Sequence, residues 1–115
     1  MESYNYKIKN FLENSIQHIE NPKIVEFGVR EGRSTKMFLD VCNKNNGELY
    51  SIDVDDYSHL YEDDKWTFIK TRDDNFDLLE KIIPKVLDII YLDSLHEADH
   101  VEKIFYHYFS KLKIG

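Results

Sequence analysis

Val25-Glu26-Phe27-Gly28-Val29-Arg30-Glu31-Gly32-Arg33-Ser34-Thr35 is the stretch whose reading decides the fold. An apolar approach through Ile24 and Val25 meets two glycines four positions apart, then two hydroxyl residues, then a helical pattern. That order predicts a strand over 23–27, a tight loop, and a helix capped by Ser34 or Thr35. Such a junction gathers backbone N–H groups and the positive end of a helix at one point, which suits an anionic group. The loop lacks the middle glycine of the G-x-G-x-x-G dinucleotide fingerprint and the Gly-Lys-Ser/Thr ending of a P-loop. A nicotinamide dehydrogenase half is disfavoured on that ground.

Upstream of the loop, Tyr4, Ile8, Phe11, Leu12, Ile16 and Ile19 recur at three- and four-residue steps and predict an amphipathic helix over 4–19. Asn21-Pro22 stops it, because the residue before proline avoids the helical region. Downstream, Met37, Phe38, Val41 and Cys42 form the apolar face of the helix after the loop, and Gly47 is placed to end it in a left-handed turn. A second strand, Glu48-Leu49-Tyr50-Ser51-Ile52-Asp53, ends in a carboxylate. Residues 54–64 read as a loop or short helix, with 61–64 a solvated loop. Trp66 to Ile69 form a third strand, and Asn75 or Asp74 caps a helix carrying Phe76, Leu78, Leu79, Ile82 and Ile83 that Pro84 ends. Val86 to Leu92 is a near-continuous apolar run, the pattern of a strand buried on both faces. A last helix over 98–111 turns Val101, Ile104, Phe105, Tyr108 and Phe109 inward.

Strands alternating with helices at this spacing imply right-handed crossovers and a parallel α/β sheet with helices on both faces. A crevice between the first and fourth strands requires the spatial order 3-2-1-4. The 115 residues suffice for a single domain, and 42% of them are hydrophobic, enough to bury a core. The net charge of −7 without a basic stripe argues against nucleic-acid binding. No apolar run approaches the ~20 residues of a membrane span, so no membrane partner is expected. The N-terminus lacks a signal-peptide core, and the chain is read as cytoplasmic. Cys42 is the lone cysteine and reads as a buried core thiol. One cysteine and scattered histidines give no ligand-spaced pair for tetrahedral zinc.

In an open parallel sheet, ligands bind beyond the carboxyl ends of the strands, and the polar residues gather there. Gly28 to Gly32 follow the first strand and Asp53 the second. Asp73 and Asp74 follow the third, and Asp93 with His96 the fourth. The glycine stretch, of the form acidic-x-Gly-x-x-x-Gly, resembles motif I of the class I S-adenosylmethionine-dependent methyltransferases. Asp93-Ser94-Leu95-His96, followed by a helix and Leu112-Lys113-Ile114-Gly115, resembles the cephalosporin-hydroxylase-like and macrocin O-methyltransferase-like branch. Residues 23–115 fit that pattern in order and spacing.

The resemblance implies a Rossmann-like fold, S-adenosyl-L-methionine as cofactor and a small-molecule oxygen or nitrogen as methyl acceptor. It implies that Gly28 and Gly32 let the main chain approach the methionine end. Glu26 would shape the loop and attract the ligand's amino group. Asp53 would accept from the ribose hydroxyls, and Asp73 or Asp74 from the adenine amino group. Asp93 would be a catalytic residue and the ligand to Mg2+ in magnesium-dependent members, and His96 would face the acceptor as base or positioning group. A complete class I fold has more strands than the four read here. The single domain, with helix 1–22 and cofactor core 23–115, is therefore expected to be incomplete at its C-terminus. An exposed sheet edge after strand one or four would favour a homo-oligomer. The other reading consistent with these residues is a non-catalytic, shortened Rossmann-like module that binds the nucleoside or dimerises.

Overall fold

The computed structural model describes residues 17–92, 98–109 and 111. The helix expected over 4–19 falls almost wholly outside these residues. Seven elements follow in order: β1 (Lys23–Phe27), α1 (Arg33–Asn45), β2 (Glu48–Asp53), β3 (Trp66–Lys70), α2 (Phe76–Ile82), β4 (Ile89–Leu92) and α3 (Ala98–Phe109). The four strands form one parallel sheet in the order β3-β2-β1-β4. This is the α/β, Rossmann-like arrangement that the alternation predicts. β1 is flanked on both sides, so the outer strands among the described residues are β3 and β4, and strand one offers no edge.

Side-chain alternation along β1 divides the core in two. Ile24 faces α1 and joins Met37, Phe38, Leu39, Val41, Cys42 and Leu49. Val25 and Phe27 face the opposite layer, where Ile52, Ile69, Leu79, Ile83, Leu87, Ile104 and Tyr108 pack. Cys42 is fully buried, as its place on the apolar face of α1 predicts. Of the residues expected inward on α3, Ile104 and Tyr108 are buried. The side chains of Val101, Phe105 and Phe109 lie outside the described set.

Two local expectations are corrected. The left-handed residue that ends α1 is Asn46, at φ 57°, and not Gly47. Asparagine tolerates this conformation, and its N–H closes on the Cys42 carbonyl. Gly47 is needed for space instead: a Cβ there would stand 2.5 Å from the Pro22 carbonyl oxygen and 2.6 Å from two of its ring carbons. That carbonyl accepts from Glu48 N–H at 2.8 Å, so the contact holds the start of β2 to the start of β1. The fourth strand is shorter than the apolar run, starting at Ile89, and all four of its residues are only half-buried. Its outer position among the described strands leaves one side less covered, and Val86 stands 51% exposed. Of the two readings open for 54–64, a loop or a short helix, the structure has the loop, with turns and extended segments. The end of α2 is as expected: Ile83, before Pro84, is extended.

Replacing Gly47 by alanine should destabilise the fold by ~1–3 kcal/mol, the usual cost of overpacking, because backbone and a proline ring cannot yield. Urea unfolding measures it. A second expectation concerns alkali. Burial, with a smaller push from Asp63, moves the Cys42 thiol from its ordinary 9.0 up to about 12. Between those values the unfolded chain has released a proton that the folded chain keeps. This contribution to stability is therefore full below about pH 9 and is lost as pH rises toward 12, by ~1.4 kcal/mol per unit. Burial and the Glu48 carboxylate move Tyr50 upward to about 12, adding to the same trend. Unfolding midpoints between pH 8 and 11 should fall, and Cys42→Ala should flatten that slope.

Candidate functional site

The site is assembled at the carboxyl ends of the strands, and its foundation is Glu26. Alternation turns this residue toward α1, in line with Ile24, and its side chain is fully buried. Ser34 and Thr35, in the first turn of α1, both donate hydroxyl hydrogen bonds to its carboxylate, Thr35 Oγ1 at 2.6 Å from Oε1. Ser51 of β2 donates to the same Oε1 at 2.8 Å, and its Oγ accepts from Trp66 Nε1 of β3 at 2.9 Å. One carboxylate thus ties together β1, β2, the first turn of α1 and, through Ser51, β3.

This replaces the expected capping role of Ser34 and Thr35. The residue at the N-cap is Gly32, at φ 82°, and no side chain caps the helix. The hydroxyls are spent inward on Glu26, which leaves the first-turn N–H groups of α1 without a side-chain cap. Gly28, at φ 98°, donates its N–H to the Ile52 carbonyl at 2.8 Å, so the loop leaves β1 still bonded to β2.

Asp53 is the second anchor. One carboxylate oxygen accepts from Val29 N–H at 2.9 Å and the other from Asp55 N–H at 3.0 Å. The side chain at the end of β2 is therefore drawn across to the glycine loop after β1. The loop 54–64 closes the site from the same side. Tyr61 donates its hydroxyl to the Gly32 carbonyl at 2.9 Å, and a Cβ on Gly32 would meet Leu60 Cδ1 at 3.0 Å and Tyr61 Oη at 3.2 Å. The segment 61–64 is loop with Glu62 and Asp64 exposed, as its acidic composition suggests, but Tyr61 is half-buried with its ring edge-on to Trp66. Its Asp63 accepts from Asn43 Nδ2 at 2.7 Å and Lys65 N–H at 2.8 Å.

Asp73 and Asp74 form the turn after β3, and the structure separates them. Asp74 takes a forked pair of bonds from Arg72, at 3.0 Å from Nε and 3.2 Å from Nη2. Asp73 is 9% exposed and lies toward the layer of Tyr108. Neither caps α2; Asn75 sits at the cap position, and its side chain donates to Thr71 Oγ1. Asp93 and His96 lie outside the described residues. Among the described residues no three acidic, histidine or cysteine side chains come together in a way that could hold a metal ion. No helix among them is long and apolar enough to cross a membrane.

A family model described as a methyltransferase domain matches residues 25–115, from within β1 to the end of the chain. The chain belongs to the methyltransferase-domain family. Comparison with curated proteins gave no match. The matched region takes in every part of the site: the glycine loop, Asp53, the 54–64 loop and the Asp73–Asp74 turn. What sequence reading missed in this methyltransferase domain is the support beneath the loop, Ser51 and Trp66 below and Leu60 and Tyr61 above. Only Ser51 left a trace, as a hydroxyl between the apolar Tyr50 and Ile52.

The Glu26 cluster makes a direct expectation. Thr35→Val keeps the shape of a fully buried side chain and deletes one donor to the carboxylate. It should cost ~1–3 kcal/mol of stability, the range for a buried hydrogen bond to a charged or strongly polar acceptor. Denaturant unfolding beside Lys36→Ala, an exposed change on the same helix, provides the comparison.

Proposed function

We propose that the chain is an S-adenosyl-L-methionine-dependent methyltransferase acting on an oxygen or nitrogen of a small-molecule acceptor. The observation that carries this reading is the Asp53 carboxylate, held at the end of β2 against the glycine loop. Each of its oxygens accepts one backbone N–H, and a carboxylate oxygen has a second lone pair to offer a ribose hydroxyl. The uncapped first turn of α1 gives backbone donors for the methionine carboxylate beside it. Glu26, buried beneath the loop, acts on the ligand through the loop it shapes. Asp73 and Asp74, in the turn after β3, are the candidates for the adenine amino group, Asp74 with its carboxylate held by Arg72.

When bound, the cofactor supplies a methyl carbon already activated on a sulfonium. The protein's share is then alignment of the acceptor and removal of its proton. His96 and Asp93 are our candidates for this step. The Asp93-Ser94-Leu95-His96 sequence is what supports placing the chain in the cephalosporin-hydroxylase-like branch. Asp93 is also the residue that would hold Mg2+ in a metal-assisted version of the reaction. The lone, buried thiol of Cys42 accords with a cytoplasmic setting.

Asp53→Ala should weaken binding of S-adenosylhomocysteine by ~1–3 kcal/mol, about 5- to 150-fold, the range for losing hydrogen bonds to a charged acceptor. Isothermal calorimetry on the wild type and the folded variant measures this. A wild-type chain with no affinity, or a folded variant with unchanged affinity, would falsify the reading. Release of homocysteine product across hydroxylated and amino acceptors then identifies the acceptor class.

A further inference from the structure

Among the described residues no strand pairs with the outer edge of β3. Leu49 N–H donates to the Lys65 carbonyl at 2.8 Å and Thr71 N–H donates to the Asp53 carbonyl at 3.0 Å. With the register running from Leu49↔Trp66 to Asp53↔Lys70, the odd-numbered residues of β3 turn their main-chain groups toward β2. The main-chain groups of Trp66, Phe68 and Lys70 therefore turn outward, except that Trp66 N–H is taken by the Asp63 carbonyl at 3.0 Å.

We propose that two copies of the chain pair antiparallel along this edge, about a twofold axis at Phe68. The segment 64–72 is complementary to itself in that register. Phe68 faces the partner's Phe68, and the two exchange both main-chain hydrogen bonds, since their groups already point outward. Lys70 N–H meets the carbonyl of the partner's Trp66 on either side of the axis. The side chains follow suit. Trp66 and Phe68 lie half-buried on the same face with ring centroids 5.8 Å apart, and Lys70 is exposed beyond them. Antiparallel pairing sets Lys70 over the partner's Trp66 ring, a cation against an aromatic face. Thr67 meets the partner's Ile69 on the other face. Beyond the paired strands, exposed Asp64 lies in the turn that the Asp63 carbonyl closes on Trp66 N–H. It comes near the partner's exposed Arg72, which its own Asp74 also holds, so opposite charges of the two copies lie close at each end.

No like charges face each other in this register. Centring the axis on Lys70 instead would set two lysines face to face. Edge lysines ordinarily deter strand pairing, but here each has an aromatic or neutral residue opposite it. The helix layer extends the surface. Phe76 and Glu80 of α2 turn toward His107 of α3, so helical geometry puts Leu78 and Ile82 on the opposite flank, above the β3 edge. Both are 37% exposed.

The test is sedimentation velocity on the full chain, with circular dichroism on every variant. The wild type should form a dimer by ~100 μM, and the amides of Phe68 and Lys70 should exchange more slowly as concentration rises. At ~50 mM salt, Asp64→Arg and Arg72→Asp should each weaken the dimer about tenfold, and the two together should restore it. Phe68→Lys, which sets two ammonium groups at the axis, should leave a monomer; should it fail to fold, the charge pair decides. A wild type that stays monomeric overturns the proposal. So does a dimer that all folded variants leave intact, or a double variant that does not recover.

Discussion

A single buried carboxylate sets the geometry on which the site depends. Glu26 sits on a central strand among apolar neighbours, where an unsatisfied polar group would be costly. The fold meets that cost by bringing hydroxyls from the first turn of α1 and from β2 to it. Satisfying the carboxylate therefore fixes the position of the helix start relative to two strands. The glycine loop is the only connection between β1 and α1, and with both ends pinned it has little freedom left. The conformation at Gly28 and Gly32 follows from that constraint as much as from the residues between them.

Asp53 adds a second tie from the outside. A charged side chain at a strand end usually faces water, yet this one holds Val29 N–H across the gap between β2 and β1. The loop after β2 returns over the same glycines through Tyr61. The site is thus built from two loops that hold each other, above a sheet that holds both. The apolar contacts above Gly32, Leu60 and the ring of Tyr61, come from a segment with five carboxylates among its eleven residues, 54–64.

The strands β1 and β2, their order in the sheet, and the positions of Gly28, Gly32 and Asp53 were legible in the sequence, because each rests on short-range pattern and a topological rule. Helix ends were less so. Ser34 and Thr35 look like caps, but local preference loses to a buried acceptor that lies eight or nine residues away. Gly47 looks like a left-handed terminator, but its lack of a side chain is required by Pro22, distant in sequence and close in space. The apolar run 86–92 overstates β4, since hydrophobicity marks burial and not hydrogen-bonded pairing. Tyr61 was hidden by its acidic neighbours. In each case the deciding partner came from another element, which a local pattern cannot contain.

The chain has a single tryptophan, and it stands at the end of the hydrogen-bond chain that runs through Ser51 to Glu26. Its indole also touches the ring of Tyr61, whose hydroxyl reaches the glycine loop. Trp66 is therefore connected to the loop by two routes, one beneath it and one above. Indole emission responds to the polarity and hydrogen bonding around the ring. The protein consequently carries its own optical probe: any event that reshapes the loop has a path to the only indole in the molecule, with no label attached.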